Sequence, residues 1–208
     1  MTSQIVAIIL TFQFFISSTF AQKNVAPNLF YSTNELKADL KYLKNKFESK
    51  HPGLHLYTSK SNMDQVFDSL ENGISKPMTE LEFYKHIAII SSIIKDGHTI
   101  ILPSPTNINF HYSMSHFLPY HFAILNHQLF IDMFYTHDGS IPIGSEIIRI
   151  NHVEVTEIIK QLGTRLVRDG YNLTYPNWIL NNYFRQYYSF IYDHPDNYVI
   201  DYKTNGQV

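Results

Sequence analysis

"IIKDGHTII", residues 93–101, sets Asp96, Gly97, His98 and Thr99 inside an otherwise apolar run. Upstream of it, Tyr84, Ile87, Ile90, Ile93 and Ile94 recur at helical spacing, and Ala88 and Ile89 widen the apolar face. The pattern predicts a buried helix that begins after Pro77 with a capping box made by Thr79 and Glu82. Downstream, the β-branched run "TIIL" predicts a strand. The four residues between read as a helix stop, with Asp96 at the helix end and Gly97 just beyond it, where a left-handed backbone is cheap only for glycine. The turn converts a helical region into a strand-bearing one, and so decides the fold class. His98 then has two readings: an imidazole packed where the chain turns, or one held at the rigid end of a buried helix as a general base. Helix-end carbonyls and Asp96 both favour the imidazolium, which opposes base chemistry unless another group compensates.

Two more helices precede this one. Ser32 and Glu35 stand in capping-box spacing, and Leu36, Leu40, Leu43 and Phe47 form an apolar stripe with Lys37, Lys41, Lys44 and Lys46 mostly off it. Pro52 and Gly53 end that helix. A second is predicted over 61–72, with Met63, Val66, Phe67 and Leu70 inward and Gly73 as its stop. Before them, Ile5 to Ile16 has the length of a signal-peptide apolar region and falls short of the roughly 20 residues of a membrane span. Residues 1–21 are therefore expected to be a signal peptide, with Thr19 and Ala21 in the small-x-small pattern and 22–31 as a linker. The n-region "MTSQ" lacks Lys and Arg, so an N-terminal anchor stays open as the alternative.

After the turn the pattern becomes mixed. "LPYHFAIL" and "QLFIDMFY" read as strands bridged by "NH", "SEIIRI" as another strand, and 155–166 as a helix. The aromatic tract from Trp178 to Tyr192 reads as a helix whose rings serve core packing. A strand over 198–203 is followed by Asn205 and Gly206, a strong hairpin signal, and the return strand is not continued. The expectation is an α+β chain that is the front part of a longer one; a natural, frayed terminus is the alternative.

Composition excludes several function classes. With 208 residues and 44% apolar content the chain can bury a sizeable core, so it is not a disordered segment. Sixteen basic residues against eighteen acidic leave no field of one sign, which argues against a nucleic-acid partner. The absence of cysteine suits a bacterial periplasmic or surface protein better than a disulfide-stapled secreted domain. Eleven histidines raise the question of a metal. His51 and His55 are separated by Pro52 and Gly53, which forbid a shared helical face, and His111, His116, His121 and His127 have no Glu or Cys at ligand spacing. No metal and no cofactor is expected.

The stretches "HPGLHLYTSK", "TELEFYKHI" and "IIKDGHTII" together resemble the N-terminal region of exported bacterial members of serine peptidase family 41, the C-terminal-processing (tail-specific) and tricorn-like proteases. "IPIGSEIIRINHVEVTEIIKQL" resembles their PDZ-like segment, and "DGYNLTYPNWILNNYF" is similar to the segment that comes after it in those proteases. The resemblance implies an N-terminal helical domain over 32–103, a PDZ-like unit over 104–166, and over 167–208 the helix and first strand of a truncated crotonase-like catalytic core. It implies that His98 completes a site around a serine carried further along, acting on a peptide or unfolded protein substrate. The sequence departs from the pattern at His152, where relatives usually have glycine, and it holds no Gly-x-Ser-x-Gly, no Ser-x-x-Lys and no glycine-rich segment with an embedded serine. The 208 residues alone are therefore expected to be inactive. The competing expectation is a non-catalytic periplasmic or surface module that binds peptides or proteins on the same scaffold.

Overall fold

The computed structural model describes residues 29–114, 116–135, 140–192 and 194–204. The expected signal peptide and the Asn205–Gly206 turn lie outside them. The architecture is mixed: helices with antiparallel sheets, an α+β arrangement. Among the described residues no helix is long and apolar enough to cross a membrane.

The N-terminal part is helical. A short strand β1 (Phe30–Tyr31) leads into α1 (Thr33–Lys50), where Ser32 and Glu35 satisfy each other's backbone N–H groups in a complete capping box. Ser59 caps α2 (Lys60–Gly73), and β2 (Met78–Thr79) pairs antiparallel with β1. Thr79 and Glu82 form the second complete capping box, at the start of α3 (Glu80–Ile87), which passes through Ala88 into α4 (Ile89–Ile94). Leu36 and Leu40 of α1, Met63, Phe67 and Leu70 of α2, and Ile87, Ile90 and Ile94 meet in one core. Each such side chain removed from water contributes roughly 1.5–3 kcal/mol before the entropy of ordering is counted.

The strand predicted for "TIIL" does not form. Ile101 instead packs against the helical core, its N–H donates to Ser91 Oγ at 3.1 Å, and α5 (Pro105–Met114) follows. Its proline in the first helical position loses no intrahelical bond, and Glu80 takes hydrogen bonds from the N–H and hydroxyl of Ser104 just before it. That signal is present in the sequence, but the weak amphipathicity of "PTNINFHYSM" masks it.

The second part is a sheet with strands β3 (Tyr120–Leu125), β4 (Gln128–Phe134), β5 (Glu146–Ile150) and β6 (Val153–Glu154) in that order, and β7 (Ile200–Lys203) on β5. Both tight turns are left-handed at two residues: Asn126 and His127 at φ 51° and 65°, Asn151 and His152 at 48° and 66°. His152 thus adopts the conformation for which relatives are expected to use glycine. Helices α6 (Val155–Gly163) and α7 (Thr174–Ile191) pack on the sheet. Tyr120 and Phe122, Leu129 and Ile131, and Ile147 and Ile150 point into the shared core; the irregularity between Ile147 and Arg149 opposite β7 lets two residues three apart face the same way. Residues assigned by sequence to two units, Leu118, Phe122 and Ile158 to the first and Leu180, Phe184 and Tyr188 to the second, share this one core. The strand expected to wait for a hairpin partner is paired with β5, and Asn151 fixes its start by donating to Val199 O at 2.7 Å and accepting from Val199 N–H at 2.9 Å. As expected, Phe184, Tyr188 and Phe190 of α7 are buried, while Trp178 and Tyr183 lie on its exposed side, where the helix kinks at Tyr183.

Candidate functional site

The buried helix ends two residues earlier than its sequence suggests. Lys95, not Gly97, takes the left-handed conformation, with φ 59°. Its ammonium lies 4.1 Å over the ring of Tyr171, and its carbonyl accepts from Gly170 N–H at 2.9 Å, which offsets the strain of a side chain at positive φ. Gly97 suits its place for a different reason: its N–H donates to Asp169 Oδ1 at 2.8 Å, and a Cβ there would stand 2.7 Å from the same oxygen unless that side chain moved. Close approach, rather than backbone freedom, explains the glycine.

Asp96 organises the turn. Its Oδ1 accepts from the His98 backbone N–H at 3.2 Å and faces His98 Nδ1 at 3.3 Å. Its Oδ2 accepts from the Thr99 hydroxyl at 2.6 Å and lies 3.0 Å from His51 Nε2. The Thr99 bond, followed by the N–H and ring of His98 and the ring of His51, outweighs the opposing effect of burial and holds the carboxyl down at about 2. Asp96 is therefore an anion throughout the ordinary pH range.

The two imidazoles in contact with this anion differ. His98 is 92% exposed at the side chain, so the packed reading is wrong for it, and it is not enclosed by the helix end. Since a carboxylate only accepts, neutral His98 carries its proton on Nδ1 and turns the lone pair of Nε2 outward. His51 is 9% exposed and comes from the C-terminal cap of α1. Gly53 N–H donates to its Nδ1 at 3.2 Å, so the proton of the neutral ring is on Nε2, shared between Asp96 Oδ2 and Thr99 Oγ1 at 2.9 Å.

His98 is legible in the sequence. No spacing marks His51 and Asp169 as members of its cluster, although both belong to stretches that carry the family resemblance, at the start of "HPGLHLYTSK" and of "DGYNLTYPNWILNNYF". Three segments far apart in the chain converge here: Tyr57 meets Tyr171 edge to face at 6.2 Å and lies against Gly170, His51 meets Asp96, and Gly97 meets Asp169.

Asp96, His98 and Asp169 bring ligand-type atoms within 4.8 Å of one another. Both carboxylates already accept hydrogen bonds from residues 97–99, Asp96 from the Thr99 hydroxyl and Asp169 from the Gly97 N–H. A cavity of about 360 Å³ is lined by Asn107, His111, Phe190 and His194 among others and includes no residue of the His98 cluster.

No protein-family model matches the chain, and no curated protein does. Its structure is similar to two crystal structures of CPAF, a chlamydial protease, one of a point mutant (TM-score 0.48) and one of the mature protein (TM-score 0.45), each at 13% sequence identity. Each match covers 62% of this chain and 24% of the CPAF chain, so the chain spans about a quarter of the proteins it resembles. Likenesses this distant assign no activity.

Proposed function

We propose that this chain supplies the general base, His98, of an exported serine-type peptidase of the C-terminal-processing and tricorn-like kind, whose serine nucleophile lies outside the described residues. The observation that carries the reading is the pairing at His98: one ring nitrogen is tied to an anchored carboxylate and the other faces solvent. A hydroxyl brought to Nε2 would give up its proton there as its oxygen attacks the peptide carbonyl. The resulting imidazolium keeps Nδ1–H on Asp96, whose negative charge stabilises it in the transition state. Nε2–H then passes the proton to the leaving amine.

The sheet unit, read as PDZ-like, would take an extended peptide or unfolded protein by strand addition and bring it to the catalytic core. Residues 1–21 direct the protein to the periplasm or cell surface in this reading.

The test is His98→Ala in the complete gene product, assayed on an unfolded protein substrate. The expected loss is about 10²–10⁴-fold in kcat with the fold intact. Hydrolysis at the wild-type rate in the folded variant, or no hydrolysis by the wild type, leaves the scaffold as a binding module.

A further inference from the structure

The Asp96 carboxylate has two kinds of partner. Thr99 and the backbone of His98 belong to its own turn and move with it. His51 comes from another element, 45 residues earlier, and is mostly buried. Asp96 itself retains 31% exposure at the side chain, so water competes for its oxygens and an outside donor adds to the hold of the turn's own bonds.

His51 is built to supply that contact. The end of α1 delivers it, Phe47 holds its ring edge to face at 6.2 Å, and Gly53 N–H fixes which nitrogen carries the proton. Its Nε2–H then has one polar destination, the Asp96–Thr99 pair. A neutral donor also suits the task better than Lys or Arg would. A full positive charge on Oδ2 would cancel the negative charge that an imidazolium at His98 requires, whereas an imidazole N–H orients the carboxylate and leaves it charged.

We infer that His51 is a positioning residue for His98, acting through Asp96: by holding Oδ2 it keeps Oδ1 turned to His98 Nδ1 and so presents Nε2 outward as the acceptor. This rests on the reading of His98 as the base, but its first test needs no catalysis.

The test is ¹⁵N NMR of the histidine rings in the 208-residue chain, which reports the tautomer of each neutral imidazole. The wild type is expected to show His51 as Nε2–H and His98 enriched in Nδ1–H. In His51→Leu, which fills the space without a donor, His98 should lose that enrichment; in His51→Gln, whose amide reaches the same place, it should keep it. A His98 spectrum unchanged in folded His51→Leu overturns the proposal. So does a wild-type His51 protonated on Nδ1, a result that does not depend on any variant folding. In the complete gene product His51→Leu is expected to lower kcat up to about 10²-fold with KM little changed, and His51→Gln to restore most of it. If His98→Ala leaves hydrolysis intact while the tautomer results hold, the base assignment falls and the positioning of the ring stands.

Discussion

Two glycines near the turn show how single residues carry different loads. A methyl at Gly97 meets only the carboxylate end of Asp169, a side chain able to swing away, so Gly97→Ala should cost about 1 kcal/mol, the value of the hydrogen bond it disturbs. Gly170 has φ +57°, and a Cβ there would sit 3.1 Å from the ring of Tyr57. Gly170→Ala should therefore be the more damaging, by about 1–3 kcal/mol from the backbone alone, and chemical denaturation of the two variants side by side checks the order. Two of the titrating residues contribute to the response to acid at different pH. Burial, with smaller contributions from His194 and Lys85, depresses His111 from 6.5 to about 4, so between those two values the unfolded chain binds a proton that the folded chain refuses. Stability should fall as pH drops through that window, and His111→Gln should flatten the decline. Asp96 acts lower: its depressed carboxyl contributes stability above its ordinary value of 3.8, which is lost as pH falls toward about 2. Asp96→Asn should reduce this second fall, as read from unfolding midpoints across the pH range.

The paired turns make a prediction for elements. His127 and His152 each occupy a left-handed turn position at φ 65° and 66°, where glycine has no Cβ to clash. His127→Gly and His152→Gly should each raise stability by about 0.5–1 kcal/mol, visible as a higher thermal midpoint. Hairpins, capping boxes and amphipathic helices were legible because their information is local: Ser32 and Glu35, or Asn126 and His127, meet through a few bonds of chain. "TIIL" misled because β-branched residues fit any crowded apolar surface, and Ile101 found one among helices before it found a strand. The site divided along the same line. Asp96, His98 and Thr99 lie within one turn and can be read together, while His51 and Asp169 join them only through tertiary packing, which no spacing rule encodes.

At the scale of the molecule the helical core and the sheet core are joined by a narrow seam. Tyr84 and Ala88 pack with Phe190, Lys85 Nζ donates to Tyr192 O at 3.0 Å, and the Ser92 hydroxyl lies 2.6 Å from Thr164 O. Phe190→Ala should cost about 3–5 kcal/mol, since a large ring is removed from where both cores meet. Amide exchange in that variant should show α3 and α4 losing protection beyond β4 and β5; equal loss everywhere would mean the seam is not a separate weak point. The loop of Asp169 and Gly170 clasps Lys95 and Gly97 from the sheet side. The imidazole of His98 thus has two landlords, and whatever loosens either half loosens its footing. Under the proposed function, a peptide held by the sheet and a molecule held at the ring would share that footing, and any effect of one on the affinity for the other would have to be mutual.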